Sequence, residues 1–249
     1  MAKILDITVD LETLALTPNA AILQIAAVAW QRDAEDTPFF LTHWKDEDGS
    51  EHSRLAEHYT FDNFIDLRSC VSLGMDFDQE TVDWWSRRKP EVKMQVLGGT
   101  SASVCFPSAL YHIHDALAGF LSWARELASE LDKEGCSIRL WSQGSDFDIA
   151  ILRNACHKCG LTPSFDKVFP HTSFRDARSF ILEIGRTVTA PHFYPFSDDT
   201  ALSDKDIYQA LPPFEVENLT HDALYDCQKT TWQVWNVMKA HALHYPEAD

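Results

Sequence analysis

The chain has 249 residues, a length that suits one elaborated α/β domain. Hydrophobic residues make up 45% of the sequence and charged residues 24%, which is the composition of a soluble globular protein with a packed core. The formal net charge of -17 argues against a protein that coats nucleic acid, because binding to a polyanion normally uses a basic surface. This charge does not exclude an enzyme that holds only the end of a strand through metal ions and a few local cations.

The first residues indicate no export signal, since Asp6 and Asp10 interrupt the chain before any apolar run of signal-peptide length. No stretch approaches the ~20 uninterrupted apolar residues of a membrane helix. We therefore expect a cytoplasmic protein without a membrane partner. The cysteines lack the spacing of a disulfide framework and are expected to be reduced thiols. Half of a zinc site at Cys156 and Cys159 is the alternative, but no second pair at matching spacing accompanies them.

The N-terminal part of the chain begins with two predicted strands. Apolar and polar residues alternate with a period of two over residues 3–12, which predicts the first strand. Residues 20–30 are almost wholly apolar and predict a strand that is buried on both faces. The acidic stretch at 31–63 is predicted to be a surface hairpin or insertion, and residues 64–71 are predicted to form a third strand.

Helices dominate the rest of the prediction. Residues 78–97 are predicted to form a helix that is capped by Asp78 and broken or kinked at Pro90. The apolar spacing of residues 107–134 predicts the clearest amphipathic helix. Residues 136–143 then predict a short buried strand.

After that strand, residues 147–160 predict a helix that ends at a glycine. Residues 173–185 predict another helix with a glycine stop. The segment 187–220 is a proline-rich loop whose length is more typical of a site border or lid than of a passive link. A last helix is predicted at 221–243. This order favours an α/β architecture with a mixed sheet flanked by helices, in a single domain over residues 1–249.

Two carboxylates stand at the end of the first predicted strand. Positions i and i+2 of a strand share a face, so Asp10 and Glu12 are expected to project side by side. Two adjacent ionised carboxylates repel each other, and without a cation one of them should have its pKa raised. The alternative is a solvent-exposed pair with no site around it.

The other candidate residues lie near the starts of two predicted helices. Asp148 follows the strand at 136–143, near the mouth of the sheet; helix capping is its alternative role, and Asp146 competes with it. His221 and Asp226 are about 500° apart on a continuous helix, so they share a site only if His221 lies at or before the first turn. An exposed histidine in that turn is the alternative.

Carboxylates from separated stretches must be neutralised if they are buried together. Hard divalent cations such as Mg²⁺ or Mn²⁺ neutralise convergent carboxylates at the lowest cost. A pair of such ions is what phosphodiester hydrolysis by a two-metal mechanism requires.

These stretches, in this order, resemble the DEDDh branch of the RNase H-like 3′-5′ exonucleases. The spacing His-x-Ala-x-x-Asp is the most discriminating part, because the sister branch has tyrosine four positions before the last aspartate, where this chain has Asp222. Sequence blocks within residues 4–238 are similar to the RNase T-like exonucleases of bacteria and phages. The segments 31–63 and 187–211 are peculiar to this chain.

The resemblance implies an RNase H-like fold with a mixed five-stranded sheet, and a site for two divalent ions, Mg²⁺ or Mn²⁺. Asp10 would bridge the two ions, with Glu12 and Asp226 completing one metal site and Asp148 holding the second. His221 would be the general base, so activity is expected to rise with pH through about 6.5, the unperturbed histidine pKa.

Residues next to the Asp-x-Glu pair are the expected substrate contacts. Leu11, Thr13 and Leu14 would meet the terminal nucleotide through backbone groups and an apolar wedge; ordinary turn packing is the alternative. Trp84 and Trp85 could stack on bases, although tryptophans of an amphipathic helix more often belong to the core.

We therefore predict a metal-dependent 3′-5′ exonuclease that releases nucleoside 5′-monophosphates from single-stranded or frayed DNA or RNA. A non-catalytic binding module with the same fold and a nuclease restricted to very short oligonucleotides are the alternatives. The predicted partner is a nucleic acid with a single-stranded 3′ end, and a homodimer is left open. The choice between RNA and DNA depends on a contact to the 2′-hydroxyl, for which the sequence names no residue.

Overall fold

The computed structural model describes residues 3–46, 48–88, 110–132, 136–189, 203–215 and 221–244. The strands in these ranges are β1 (Ile4–Thr13), β2 (Ile22–Trp30), β3 (Leu41–Lys45), β4 (Glu51–Leu55), β5 (Thr60–Phe64), β6 (Ser137–Ser142) and β7 (Phe174–Asp176). The helices in these ranges are α1 (Leu67–Ser72), α2 (Gln79–Ser86), α3 (Ile113–Leu131), α4 (Asp148–Lys158), α5 (Thr162–Val168), α6 (Ala177–Thr189), α7 (Asp204–Ala210) and α8 (Ala223–His244).

β1 lies at the centre of a mixed five-stranded sheet with the strand order β5-β2-β1-β6-β7. It pairs antiparallel with β2 and parallel with β6; β2 and β5 are antiparallel, and β6 and β7 are parallel. The predicted α/β fold, with a mixed five-stranded sheet flanked by helices, is therefore confirmed. Because β1, β6 and β7 run in the same direction, their carboxyl ends meet at one edge of the sheet.

Different helices cover the two faces of β1. Leu5, Ile7, Val9 and Leu11 of β1 belong to a buried apolar cluster that includes side chains of α3, α4 and α5. On the opposite face, the hydroxyl of Thr231 in α8 donates a hydrogen bond of 2.7 Å to Thr8 Oγ1. Side chains alternate along a strand, so Asp10 and Glu12 share this second face. The end of β1 therefore presents its two carboxylates on the side of α8.

The predicted strand at 64–71 is wrong. β5 ends at Phe64, and α1 begins one residue after Asp66. The Asp66 carboxylate accepts a hydrogen bond of 3.1 Å from Arg68 N and so caps α1. This N-cap is a helix-start signal that competes with the strand-like composition of the segment.

The predicted helix over 173–185 is confirmed from Ala177 onward, but its start and its glycine stop are wrong. β7 precedes α6, and α6 continues past Gly185 to Thr189. A β-carbon at Gly185 would lie 3.0 Å from Ile207 Cγ2 and 3.7 Å from Val237 Cγ2. The close approach of α7 and α8, rather than a helix end, explains why this position is glycine.

The other predicted elements are found with shifted bounds, since α2 ends at Ser86, before residue 88, and α3 begins only at Ile113. Asp78 caps α2 by accepting a hydrogen bond of 2.7 Å from Thr81 N, and Gly160 has a φ of +72° after α4, as a glycine at a helix end does. Pro90 and the rest of the predicted helix beyond residue 88 lie outside the described residues. No helix within the described ranges is both long and apolar enough to cross a membrane.

The two long segments are partly as predicted. Within 31–63, β3 and β4 form a separate antiparallel hairpin, but residues 60–63 belong to β5 of the main sheet, so the insertion is shorter than predicted. Within 187–220, α6 extends to Thr189 and α7 provides a further helix. Residues 190–202 and 216–220 lie outside the described residues.

Candidate active site

The carboxylates that the sequence singles out lie together at the edge of the sheet where β1 ends. Asp10 and Glu12 belong to β1, Asp148 is the first residue of α4, and Asp226 lies in the first turn of α8. The amide of Leu11 donates a hydrogen bond of 3.2 Å to Asp148 Oδ1, which joins the start of α4 to β1. Asp148, Glu12 and Asp226 all repel the charge of Asp10. Three distant parts of the sequence therefore meet here.

Capping does not account for Asp148. Phe147 occupies the N-cap position of α4 and makes no side-chain cap bond, whereas Asp148 follows it as the first helical residue and is buried. Asp146 is exposed. The Asp148 carboxylate is bonded to β1 and belongs to the cluster.

The backbone of His221 explains how this residue shares a site with Asp226. His221 has a φ of +70°, in the left-handed region that is uncommon for residues other than glycine. It precedes α8, which is capped by Asp222 through a 3.0 Å hydrogen bond from Tyr225 N. The amide of His221 donates a hydrogen bond of 3.2 Å to Asp226 Oδ2. One ligand atom each from Glu12, His221 and Asp226 lies within 4.8 Å of the other two.

The buried carboxyls of the cluster resist ionisation in the metal-free protein. Burial raises the pKa of Glu12 to about 8, with a further contribution from the charge of Asp226. Burial raises the pKa of Asp148 to about 7, and burial with repulsion by Asp148 and Glu12 raises the pKa of Asp10 well above its usual range. Burial also raises the pKa of Asp226. These raised pKa values indicate that a bound cation would stabilise the ionised carboxylates of the cluster.

Asp6 shows how the same strand neutralises a carboxylate with protein groups alone. Arg32 donates hydrogen bonds of 2.8 and 2.7 Å to its two oxygens, and Trp141 Nε1 donates a third of 2.7 Å. Within the described ranges, no lysine or arginine forms an ion pair with Asp10 or Glu12. The difference between these carboxylates on one strand points to an external cation at the cluster.

The donor set fits a hard divalent cation. Carboxylate oxygens are the ligands that Mg²⁺ and Mn²⁺ prefer, and an imidazole nitrogen also suits Mn²⁺. Within the described residues, the group of three potential ligands that could hold an ion consists of Glu12, His221 and Asp226. Cys156 and Cys159 belong to no such group, and burial raises the pKa of the Cys156 thiol to about 12, as expected of an inert thiol.

The raised carboxylate pKa values predict an unusual pH dependence for the metal-free protein. A carboxyl whose pKa is higher in the folded than in the unfolded state binds more protons when folded, so stability falls as pH rises. For Glu12, whose pKa is about 8 in the folded protein against an ordinary 4.5, stability falls over the pH range between those two values. We expect a higher melting temperature in EDTA at pH 6 than at pH 8, at about 1.4 kcal/mol per pH unit for each extra bound proton. Thermal unfolding at the two pH values tests this, with Glu12→Gln expected to flatten the slope. A melting temperature that rises toward pH 8 would contradict the electrostatics of the cluster.

A cleft of about 550 Å³ opens beside Glu12 and has a largely apolar lining. Leu11 and Thr13, two of the expected substrate contacts, line it. Trp84 lines it too, with its ring centroid 4.7 Å from that of His221 in an edge-on arrangement. The cleft therefore places an aromatic ring next to the candidate base.

Two leucines differ from the expectation about which side chains contact the substrate. Leu14 is buried in the core and does not line the cleft. Leu16, 74% exposed, lines it instead, and its position in the turn before Pro18 was the available sequence signal. Trp85 is buried in the core, as the alternative interpretation has it, although it also contributes to the lining of the cleft, and its Nε1 donates a hydrogen bond of 3.0 Å to Thr13 O.

A mixed five-stranded sheet between helices, with carboxylates converging where its central strand ends, defines an α/β protein of the RNase H-like class. The family model of the Rv2179c-like 3′-5′ exoribonuclease domain matches residues 5–245, and the chain belongs to this family. The chain is therefore a 3′-5′ exonuclease, a hydrolase that acts on ester bonds, which confirms the prediction of an enzyme. The comparison with curated proteins found no match.

Proposed function

We propose that this chain is a metal-dependent 3′-5′ exonuclease of the DEDDh type, of the RNase T-like branch, that releases nucleoside 5′-monophosphates from single-stranded or frayed 3′ ends. The observation that carries the proposal is the convergence of Asp10, Glu12, Asp148 and Asp226 with His221 at one edge of the sheet. Because the family is described as an exoribonuclease domain, we propose RNA as the principal substrate.

The four carboxylates would hold two divalent ions, Mg²⁺ or Mn²⁺. Bound ions of this kind stabilise negative charge on the reacting phosphoryl group and on the leaving 3′-oxygen. Glu12 and Asp148, whose pKa values are raised to about 8 and about 7, must lose their protons to serve as ligands. Metal binding near pH 7 is therefore expected to release protons.

His221 is the proposed general base that takes the proton from the attacking water. Burial lowers its pKa from the ordinary 6.5, so the imidazole is neutral at pH 7 and can accept a proton. The hydrogen bond between its amide and Asp226, together with the contact to Trp84, holds the residue at the cluster. The midpoint of the rise of activity with pH is therefore expected below pH 6.5, the value that the unperturbed histidine pKa predicts.

The cleft beside Glu12 is the proposed site of the terminal nucleoside. Its apolar and aromatic lining, from Leu11, Leu16 and Trp84, suits the face of a base. The guanidinium of Arg88 lies 3.8 Å from the ring centroid of Trp84, a cation–π contact that places positive charge at this side of the site.

The alternatives have weaker support. A non-catalytic binding module would be expected to lack one of the five site residues, and all five are present. A nuclease restricted to very short oligonucleotides is separated from our proposal by substrate length. The single domain over 1–249, the homodimer and the cytoplasmic location stay predictions.

Digestion of matched RNA and DNA strands tests the proposed function. Strands of about 20 nucleotides, labelled at the 5′ end, would be incubated with Mg²⁺ or Mn²⁺, in parallel with the Asp10→Ala variant. We expect a ladder that shortens from the 3′ end, faster for RNA, and no ladder with EDTA or with the variant. Cleavage of dinucleotides alone would favour the short-substrate alternative, and intact strands in every lane would contradict the proposal.

A further inference from the structure

A second cavity, separate from the cleft beside Glu12, borders the same carboxylate cluster. It has a volume of about 520 Å³ and is lined by Asp10 and Asp226 together with side chains of α7 and α8. The cleft and this cavity share no lining residue, so they are two different places beside one cluster. The roles assigned above leave this cavity without a function.

Two lysines bring positive charge into the cavity. Lys205 lies on α7, and Lys229 lies on α8 one turn after Asp226, on the same side of the helix. Neither ammonium group forms an ion pair or hydrogen bond with any residue in the described ranges. In a chain with a net charge of -17, two cations without an ion pair thus line one cavity together with Asp10 and Asp226.

A chain of hydrogen bonds leaves the Tyr208 hydroxyl as a third donor that lines the cavity. The hydroxyl of Thr230 donates to Gln143 Oε1 at 3.2 Å, and Gln143 Nε2 donates to the Tyr208 hydroxyl oxygen at 3.1 Å. Because Tyr208 accepts from Gln143, its own proton is available to a ligand in the cavity. Tyr208 lies three residues after Lys205, so both side chains lie on one side of α7.

We propose that Lys205, Tyr208 and Lys229 bind the phosphate that lies immediately 5′ to the scissile phosphodiester of the substrate. A strand whose scissile phosphate lies on the carboxylates has its terminal nucleoside on one side and the rest of the strand on the other. The apolar cleft suits the nucleoside, and a cavity with two cations and a hydroxyl donor suits an anionic oxygen. This inference rests on the proposed function and adds the substrate class: strands that carry a second phosphate upstream of the cleaved bond.

The inference accounts for two other features of the chain. A strongly acidic protein can act on a polyanion if the positive charge is concentrated where the strand must pass. The segment 187–211, which we predict from the sequence to be peculiar to this chain, contains α7 and therefore Lys205 and Tyr208. The segment 187–220, which the sequence predicts to border the site, therefore supplies Lys205 and Tyr208 to the cavity.

A strand with one uncharged linkage tests the inference. An RNA strand of about ten nucleotides would carry a methylphosphonate in place of the phosphodiester directly 5′ to the scissile bond, and the rate of the first cleavage would be compared with that of the unmodified strand. For the wild-type enzyme we expect kcat/KM to fall by about 10- to 100-fold, the range for hydrogen bonds to a charged group, mostly through KM. In the double variant Lys205→Ala/Lys229→Ala, the same modification should cost less than about threefold, because both cations that sense the charge are gone.

Two controls separate this result from general effects. Lys239, on the same helix as Lys229, donates to Glu35 O and lies beside the Trp235 ring, so Lys239→Ala should respond to the neutral linkage as the wild-type enzyme does. Lys205→Arg should keep the response, since it keeps the charge. The inference is overturned if the wild-type enzyme cleaves both strands equally, or if the double variant loses the same factor as the wild type. If the wild-type enzyme cleaves neither strand, the proposed function itself fails.

Discussion

Asp10→Asn is expected to lower kcat/KM on a single-stranded 3′ end by more than about 100-fold, because loss of even an outer partner of a metal ligand costs about 10- to 100-fold. Asp10 lies at the centre of the cluster, where Asp148, Glu12 and Asp226 all repel its charge. Asparagine keeps the shape of the side chain and removes one of the charges that attract the cations. The same change should raise the melting temperature of the metal-free protein near pH 7, since folding no longer requires a proton to be taken up by this buried carboxyl.

The opposite signs of these two effects distinguish a metal ligand from a residue needed for folding. Activity and thermal unfolding in EDTA would be measured side by side for Asp10→Asn and for Asp146→Asn. Asp146 is an exposed aspartate near the cluster, so its variant should match the wild-type protein in both measurements. Wild-type activity in Asp10→Asn would contradict the assignment, and a lower melting temperature would contradict the electrostatics.

His221→Asn is expected to lower kcat by about 10²- to 10⁴-fold, the usual contribution of a general acid or base. Asparagine is the sharper replacement because it tolerates the left-handed backbone that His221 adopts at a φ of +70°. Alanine at this position would add backbone strain to the loss of the imidazole. The rising acidic limb of the pH–rate profile, which we expect below pH 6.5 because burial lowers the His221 pKa, should disappear in the variant.

The same variant decides between two roles for His221, since an imidazole nitrogen lies within 4.8 Å of ligand oxygens of Glu12 and Asp226. A general base leaves metal binding intact, so the rise in melting temperature caused by Mn²⁺ should be the same in His221→Asn as in the wild type. If that rise is lost together with activity, His221 is a metal ligand and not the base.

The candidate site residues could be named from the sequence because each lies in a local pattern and the patterns together resemble a known exonuclease family. Asp10 and Glu12 follow from the period of a strand, and Asp148 follows from a strand-to-helix junction. The spacing of His221 and Asp226 raised a geometric difficulty, and the left-handed turn at His221 resolves it. No sequence rule gives the φ of one histidine, because that angle is set by contacts with Asp226 and the start of α8.

What the sequence could not give depends on partners that are distant along the chain. Asp6 looks like a lone carboxylate until Arg32 and Trp141 are brought to it by the sheet. Gly185 resembles a helix stop because its packing partners lie on other helices. Likewise, Lys205 lines a cavity beside Asp10 only because α7 packs against α6, which in turn packs against α8.

The choice between Leu14 and Leu16 illustrates the same limit at shorter range. Both follow the Asp-x-Glu pair, and either could serve as an apolar wedge. Leu14 donates its amide to Ala21 O at 2.9 Å and packs into the core, whereas the turn after it leaves Leu16 exposed at the cleft. The conformation of the turn, and not the residue type, decides which leucine reaches the site.

Calorimetric titration of Mn²⁺ into the metal-free protein at pH 7 tests the carboxylate cluster most directly. We predict that two ions bind per chain, with release of protons because Glu12 and Asp148 must ionise, and that Asp10→Asn loses most of this binding. Absence of Mn²⁺ binding by a folded wild-type chain that still degrades strands in EDTA would contradict the account.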